Sequence, residues 1–403
     1  MGSAADWNCI REKVIARVDS SAEDLNKISQ EIWSNPELKF EEHHAHKILT
    51  EYLVKEGFKV EGNFILDTGF RATCGSDGGV NVCVICEYDA LPNIGHACGH
   101  NLIAECGIGA GIAIKTGLEI LGEKAGKVTV LGTPAEEGGC GKKMMIDGKA
   151  FEGVDVAMMA HGCSFYVPRP KYLALQQIEI KFIGKPAHAA AFPWEGRNAL
   201  DAAVMCYQAI SVLRQQMKPD WRVHGIFTNG GVKPSIIPEE AELFYYMRAP
   251  TKVELDVLIQ RVLGCIDGAA KVTGCEANYK LGLNDLDVVT NKGLISIYEK
   301  HAQNMGVTFE TNPSIRDAAV GSTDMGNVSY VVPSIHPLFD INTDAPIHSR
   351  EFTAYAGAPT AQEPTLTQAK ALALTGLELL MPGNKQLLED IRKEFDETFG
   401  KSK

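Results

Sequence analysis

The sequence predicts an α/β protein: a mostly parallel sheet with helices on both faces, interrupted by an inserted ferredoxin-like βαββαβ domain. Three observations predict it. Between residues 80 and 160, continuous apolar strands alternate with helices, the pattern of a parallel sheet buried on both faces. Each of three such strands runs into a segment able to bind metal or move protons, and in such sheets ligands bind beyond the carboxyl ends of the strands. Residues 173–283 then change to the order β-α-β-β-α-β. At 403 residues the chain is too long for one ordinary core. Residues 1–174 and 287–403 are expected to form one domain, and 175–286 a second domain inserted into it.

Residues 24–57 show apolar recurrence at helical spacing, broken at Asn35-Pro36. His43, His44 and His46 crowd one charged helix and read as solvated. The strand VNVCVICEY (80–88) leads into DALPNIGHACGHN (89–101), and LIAECGIGAGIAIKTGLEIL (102–121) is a helix apolar all round, hence buried. KVTVLGT (127–133) is a strand ending in PAEEGG, and VDVAMMA (154–160) is a strand ending at His161. In the inserted part, a strand at 173–183 precedes a helix expected to bury Leu200, Val204, Tyr207, Ile210, Leu213 and Met217 on one face. Strands at 221–229 and 241–248, a helix at 253–272 and a strand at 275–283 complete the pattern.

Composition excludes several classes. The formal net charge is -12, which disfavours nucleic acid and anionic membrane surfaces as partners. The 11 cysteines are scattered and odd in number, unlike a secreted disulfide framework, so a cytoplasmic location is expected. The first residues carry no signal-peptide pattern, and no run approaches the roughly 18 apolar residues of a membrane span.

His96-Ala-Cys98-Gly-His100 is the densest chemical constellation: thiolate and imidazole two residues apart, after a strand, suit zinc or another borderline transition metal. Cys83-x-x-Cys86 with His96 and His100 resembles a zinc finger, but residues 83 and 86 of one strand point to opposite faces. Glu136-Glu137 at a strand end can divide labour, one carboxylate holding metal and the other taking a proton from water. His161 and His348 gain meaning only beside these groups. The glycines at 107, 109 and 111 lie within a helix and read as tight packing. GGCGKK (138–143) lacks the upstream glycine of a phosphate loop.

HACGHN, GTPAEEGG, the His after VDVAMMA, GKPAHAAAFPWEGRNALDA, NGGVKPSIIP and GSTD…HSREF run in the order of the aminoacylase, acetylornithine deacetylase and carboxypeptidase family, and the chain resembles the amidohydrolase branch of these two-metal peptidases over nearly its whole length. The resemblance implies that Cys98, His100, Glu137, His161 and His348 are ligands of two divalent ions, zinc or manganese, with cobalt acceptable. It implies Glu136 as general base and Asp89 as a carboxylate orienting a ligand. In the inserted domain, a lid and dimerisation domain by this resemblance, it implies His188 as a residue that enters the partner subunit's site in a homodimer. It further implies Arg248, Asn229 and Ser235 as substrate contacts, although relatives carry Asn where Ser235 stands. The implied activity is hydrolysis of small dipeptides with a basic C-terminal residue such as Lys, Arg or ornithine. Two alternatives are cleavage of N-acyl or aminobenzoyl amino acids and a non-catalytic, ligand-binding relative.

Overall fold

A computed structural model describes residues 7–122 and 125–400. The chain forms two compact units. The first comprises Met1–Lys171, Val288–Ala319 and Asp324–Lys403; the second comprises Tyr172–Asp287 with Val320–Thr323.

The first unit is built on a six-stranded sheet in the order Lys59–Gly62, Phe70–Gly75, Gly126–Gly132, Val80–Cys86, Val156–Met158, Ser334–Ile335. The last four run parallel, as expected, and the first two are added at one edge through antiparallel pairings. These two carry short, polar, Gly-punctuated sequences that periodicity misses.

Alternation along the central strand sorts its residues to two faces. Val82, Val84 and Cys86 join the core under the helices His100–Leu121 and Gln362–Leu380. Cys83 and Ile85 join Met145, Met325 and Val328 on the other side. Cys83 and Cys86 therefore point apart, which rules out a shared ion. All 11 cysteines are free thiols. Among the described residues no helix is long and apolar enough to cross a membrane.

The helix His100–Leu121 sits close on the sheet because its glycines leave a notch. A Cβ on Gly107 would lie 2.5 Å from Cys86 Sγ and 2.7 Å from the carbonyl oxygen of Ile85. On the same helix Glu105 is fully buried, with Gln362 Nε2 donating to it at 3.1 Å and no cationic side chain paired with it among the described residues. Burial pushes its carboxyl up to about 7.

The second unit is a four-stranded antiparallel sheet in the order Glu276–Asp285, Ala174–Ile183, Glu240–Ala249, Arg222–Asn229. Numbered along the chain this is 4-1-3-2, the ferredoxin-like arrangement. Helices Ala199–Leu213 and Lys252–Thr273 cover one face, over Ile178, Ile180, Phe182, Leu243, Tyr245 and Met247. Asn198 and Thr251 cap their N-termini through side-chain oxygens.

The first of these helices corrects the expected apolar face. It buries Ala199, Ala202, Ala203, Cys206 and Ile210, whereas Val204 and Tyr207 are exposed and Val212 is 74% exposed. The helix is apolar on both sides, and its small residues, not its large ones, let it approach the sheet closely.

Three outcomes follow for stability. Gly107→Ala lowers the melting temperature, because overpacking against backbone costs about 1–3 kcal/mol and outweighs the helix-propensity gain. Gly264→Ala, on an exposed helix position with nothing within 4 Å of the new Cβ, raises it. For Glu105 the folded carboxyl titrates above its unfolded value, so the native state holds an extra proton between about pH 4.5 and 7 and stability falls as pH rises through that window. Denaturant titrations of metal-free protein from pH 5 to 8 should show Glu105→Gln escaping a loss on the order of 3 kcal/mol.

Candidate metal centre

Parallel strands Val80–Cys86 and Gly126–Gly132 pair with Cys86 opposite Gly132, so the residues beyond them emerge side by side. The first strand delivers Glu87 and Asp89. After a loop, Gly99 turns the chain with φ 74° and His100 opens the following helix. The second delivers Glu136 and Glu137 on a turn that is left-handed at Ala135 (φ 60°), Gly138 (φ 72°) and Cys140 (φ 52°). His161 begins a short strand beyond Val156–Met158. His348 arrives from the distant C-terminal part, itself left-handed (φ 65°), with its amide donating to the Ala97 carbonyl at 2.8 Å.

These side chains converge. Cys98, His100 and His161 offer ligand atoms within 4.8 Å of one another, as do Cys98, Glu137 and His348, and also His100, Glu136 and Glu137. Cys98 Sγ lies 3.3 Å from His161 Nε2, and His348 Nε2 lies 3.3 Å from Glu137 Oε1. Overlapping groups that share Cys98, His100 and Glu137 suit two adjacent ions better than one.

The surroundings orient the donors. Asp89 takes His100 Nδ1 at 3.1 Å on one oxygen and the Glu137 amide at 2.8 Å on the other, leaving His100 Nε2 aimed at the centre. His161 places Nδ1 2.7 Å from the Gly162 carbonyl, which directs Nε2 the same way. Carboxylate or carbonyl partners on the far nitrogen are how metal-ligating imidazoles are fixed. His100 Nε2 and Glu137 Oε1 are buried without a hydrogen-bond partner, which is the condition a cation would relieve. The donor set fits divalent metal.

Electrostatics agree. Burial holds His161 down to about 4, so it is neutral and free to ligate. Burial, reinforced by Glu87, Glu137 and Asp324, pushes the Glu136 carboxyl well up. Glu137 is held low despite burial, through His348 and His100. Burial and the neighbouring Glu137 push the Cys98 thiol well up, an effect that a bound dication reverses.

His96 belongs elsewhere: it is buried, its Nε2 lies 3.1 Å from the Ile32 carbonyl oxygen, and burial holds it near 3. His43 and His44 meet only surface carboxylates at 3.6 Å.

Sequence reasoning missed four buried neighbours. Lys142 Nζ donates to Glu87 at 2.5 Å and to Asp324 at 2.7 Å, all three shielded from solvent, and Glu87 Oε1 lies 3.4 Å from His100 Nε2. His336 stacks edge-on against His161 at 5.8 Å. The signal was the position of Glu87 two residues before Asp89 in the same strand exit; nothing local marked the others.

The remaining expected site residues lie in the second unit. His188 is exposed on a loop where its Nδ1 accepts from the amides of Ala190 and Ala191 at 3.2 and 3.1 Å. The Ala189 amide donates to the Ser235 carbonyl at 3.0 Å, which brings that residue beside it. Asn229 Oδ1 accepts from the Gly231 amide at 3.0 Å. Arg248 Nη1 donates to Ser322 Oγ at 2.7 Å. Asn229 pairs with Glu242, six residues from Arg248 along one strand, so the two stand about 20 Å apart. One chain does not bring them together.

Residues 175–273 match the family model described as a peptidase dimerisation domain. The chain is 46% identical to mouse Xaa-Arg dipeptidase across 98% of its own length and 94% of that protein's. It is 45% identical to the human Xaa-Arg dipeptidase across 94% and 90%. A solved Bacillus subtilis protein described as a dinuclear metal binding peptidase from the M20 family superposes with a TM-score of 0.69 at 19% identity, covering 90% of this chain and 99% of that one.

Asp89→Ala frees both His100 and the Glu137 turn. The expected outcome is a 10–100-fold loss of metal affinity by competition with a chelating dye, with the fold retained by circular dichroism.

Proposed function

Because the chain belongs to the M20 peptidase family, we propose that it is a metal-dependent dipeptidase that hydrolyses the amide bond of small dipeptides ending in a basic residue such as Arg, Lys or ornithine. The observation that carries the reading is that Cys98, His100, Glu137, His161 and His348, with Glu136, fall into three overlapping groups of candidate ligands. Identity to Xaa-Arg dipeptidases over nearly the whole chain supports the substrate class.

Two divalent ions, zinc or manganese, with cobalt as a substitute, would be held by these five residues and would supply Lewis acidity and a water acidified toward neutrality. Glu136 is the base. Its carboxylate stands beside His100 and Glu137, where it takes a proton from water and delivers it to the leaving amine. Asp89 keeps His100 in the tautomer that presents Nε2. Arg248, whose guanidinium fork matches a carboxylate, takes the substrate's terminal carboxylate. His188 supplies a donor to the oxyanion, with Asn229 and Ser235 as its neighbours in substrate contact.

The working form is a homodimer. A dipeptide extends no more than about 7 Å, yet Asn229 and Arg248 of one chain stand about 20 Å apart along a strand. Asn229 and Arg248 of one chain therefore serve different sites of the dimer, and His188 is the residue that enters the partner's. The edge strand Arg222–Asn229 exposes Ile226 and Phe227, and the neighbouring helix exposes Tyr207, whose ring is 5.6 Å from that of Phe227. This apolar edge suits a second copy. Eleven free thiols suit the cytoplasm.

The test compares β-alanyl-lysine and Xaa-Arg dipeptides with N-acetyl-amino acids and aminobenzoyl-glutamate on metal-loaded protein. Basic dipeptides should turn over fastest, chelation should abolish turnover, and Glu136→Gln should lower kcat by 10²–10⁴-fold with metal still bound. Preference for an acylated amino acid overturns the substrate class; full activity of Glu136→Gln overturns the base.

A further inference from the structure

The turn that carries Glu136 and Glu137 is an unlikely conformation for its sequence. Ala135 and Cys140, before and after its two glutamates, adopt left-handed backbone without being glycine. Such strain costs on the order of 1–3 kcal/mol per residue and persists only where the surroundings over-determine it. Three buried carboxylates do so. Glu42 Oε1 accepts from the Ala135 amide at 2.8 Å, at the entry to the turn. Asp89 Oδ2 accepts from the Glu137 amide at 2.8 Å, in its middle. Asp324 Oδ2 accepts from the Lys142 amide at 2.8 Å, at its exit.

Each outer carboxylate is fixed in turn. Glu42 also accepts from the Phe40 amide at 2.9 Å and from the Thr68 hydroxyl at 2.6 Å. Asp324 also holds Lys142 Nζ at 2.7 Å, and that ammonium reaches Glu87 at 2.5 Å. Glu42, Glu87, Lys142 and Asp324 expose 1% of their surface or less. Buried ion pairs are weak stabilisers of a fold relative to apolar residues of the same volume, so stability alone gives no reason for this set. Geometry does: the contacts lie at the two ends of the segment that carries the base.

We infer that Glu42 and the Lys142–Asp324 pair are positioning residues that clamp the two ends of the Glu136–Glu137 turn and so hold the base in its reacting orientation. This rests on Glu136 acting as the base. Loss of either end lets the turn relax toward ordinary backbone angles and moves the Glu136 carboxylate away from the water it deprotonates, while the substrate contacts stay in place.

The experiment measures amide hydrogen exchange at 135–142, metal content and steady-state kinetics in Glu42→Ala, Glu42→Gln and Asp324→Ala. Both alanine variants should speed exchange across the turn by at least about tenfold and lower kcat on the order of a hundredfold, the scale expected of an ångström-sized misplacement. KM and two-metal content should stay at wild-type levels. Glu42→Gln should recover most of the activity, since its amide oxygen still accepts from Ala135. Should Asp324→Ala fail to fold, Asp324→Asn takes its place, keeping an acceptor oxygen for the Lys142 amide while removing the anionic partner of Lys142 Nζ; it should show a smaller change in the same direction. Wild-type exchange and turnover in both alanine variants overturn the inference, as does a loss of activity that tracks loss of metal. An active Glu136→Gln sinks the base instead, and leaves the exchange result to judge the clamp alone.

Discussion

The centre depends on one buried carboxylate. Asp89 spends one oxygen on His100 and the other on the amide of Glu137. It therefore joins the loop that opens the long central helix to the turn beyond the neighbouring strand. This is possible only because the two strands are parallel and end level with each other, Cys86 opposite Gly132. A register slip of one residue would send Asp89 to the other face of the sheet. The glycine notch at Gly107, which lets the helix lie close on the sheet, serves the same end, since His100 is set by where that helix begins.

Charge follows from this geometry. Glu42, Glu87, Asp89 and Asp324 are almost wholly buried in this unit, and Glu136 and Glu137 lie partly buried beside them. A buried carboxylate is costly unless something positive or hydrogen-bonding meets it. Backbone amides meet Glu42 and Asp89, and Lys142 meets Glu87 and Asp324. What is left over is negative potential at the position of the thiol and imidazoles. A protein that stores anionic excess at one point has conceded stability there for affinity toward cations.

Much of this was legible in the chain. Apolar strands ending in Cys, His and Glu announced a parallel sheet with chemistry at its carboxyl ends, and the switch in pattern near residue 173 announced an inserted ferredoxin-like part. Local signals failed where partners are remote. Lys142 finds Glu87 and Asp324 at separations of 55 and 182 residues, which no periodicity encodes. His96 looked like a member of the centre because of spacing alone, and its ring turned out to serve the Ile32 carbonyl in the helix Ala22–Ser34. The helix Ala199–Leu213 misled because apolar residues line both its sides, and side-chain size decided which side packs on the sheet. The distance between Asn229 and Arg248 was hidden for a simpler reason: sequence order says nothing of which strand ends are near each other.

Among the imidazoles of the centre, His348 stands apart. Its side chain is 50% exposed, whereas those of His100 and His161 are buried. It also reaches the centre from a left-handed loop position rather than from a sheet or helix end. Solvent, chelators and competing ions therefore meet the donors of this unit most directly at His348. Two ions held there would differ in exposure: an outer one, on the Glu137 and His348 side, would meet the medium, and an inner one, behind Cys98, His100 and His161, would be shielded from it. A preparation that loses activity on dilution and regains it with added metal would be losing the outer ion first.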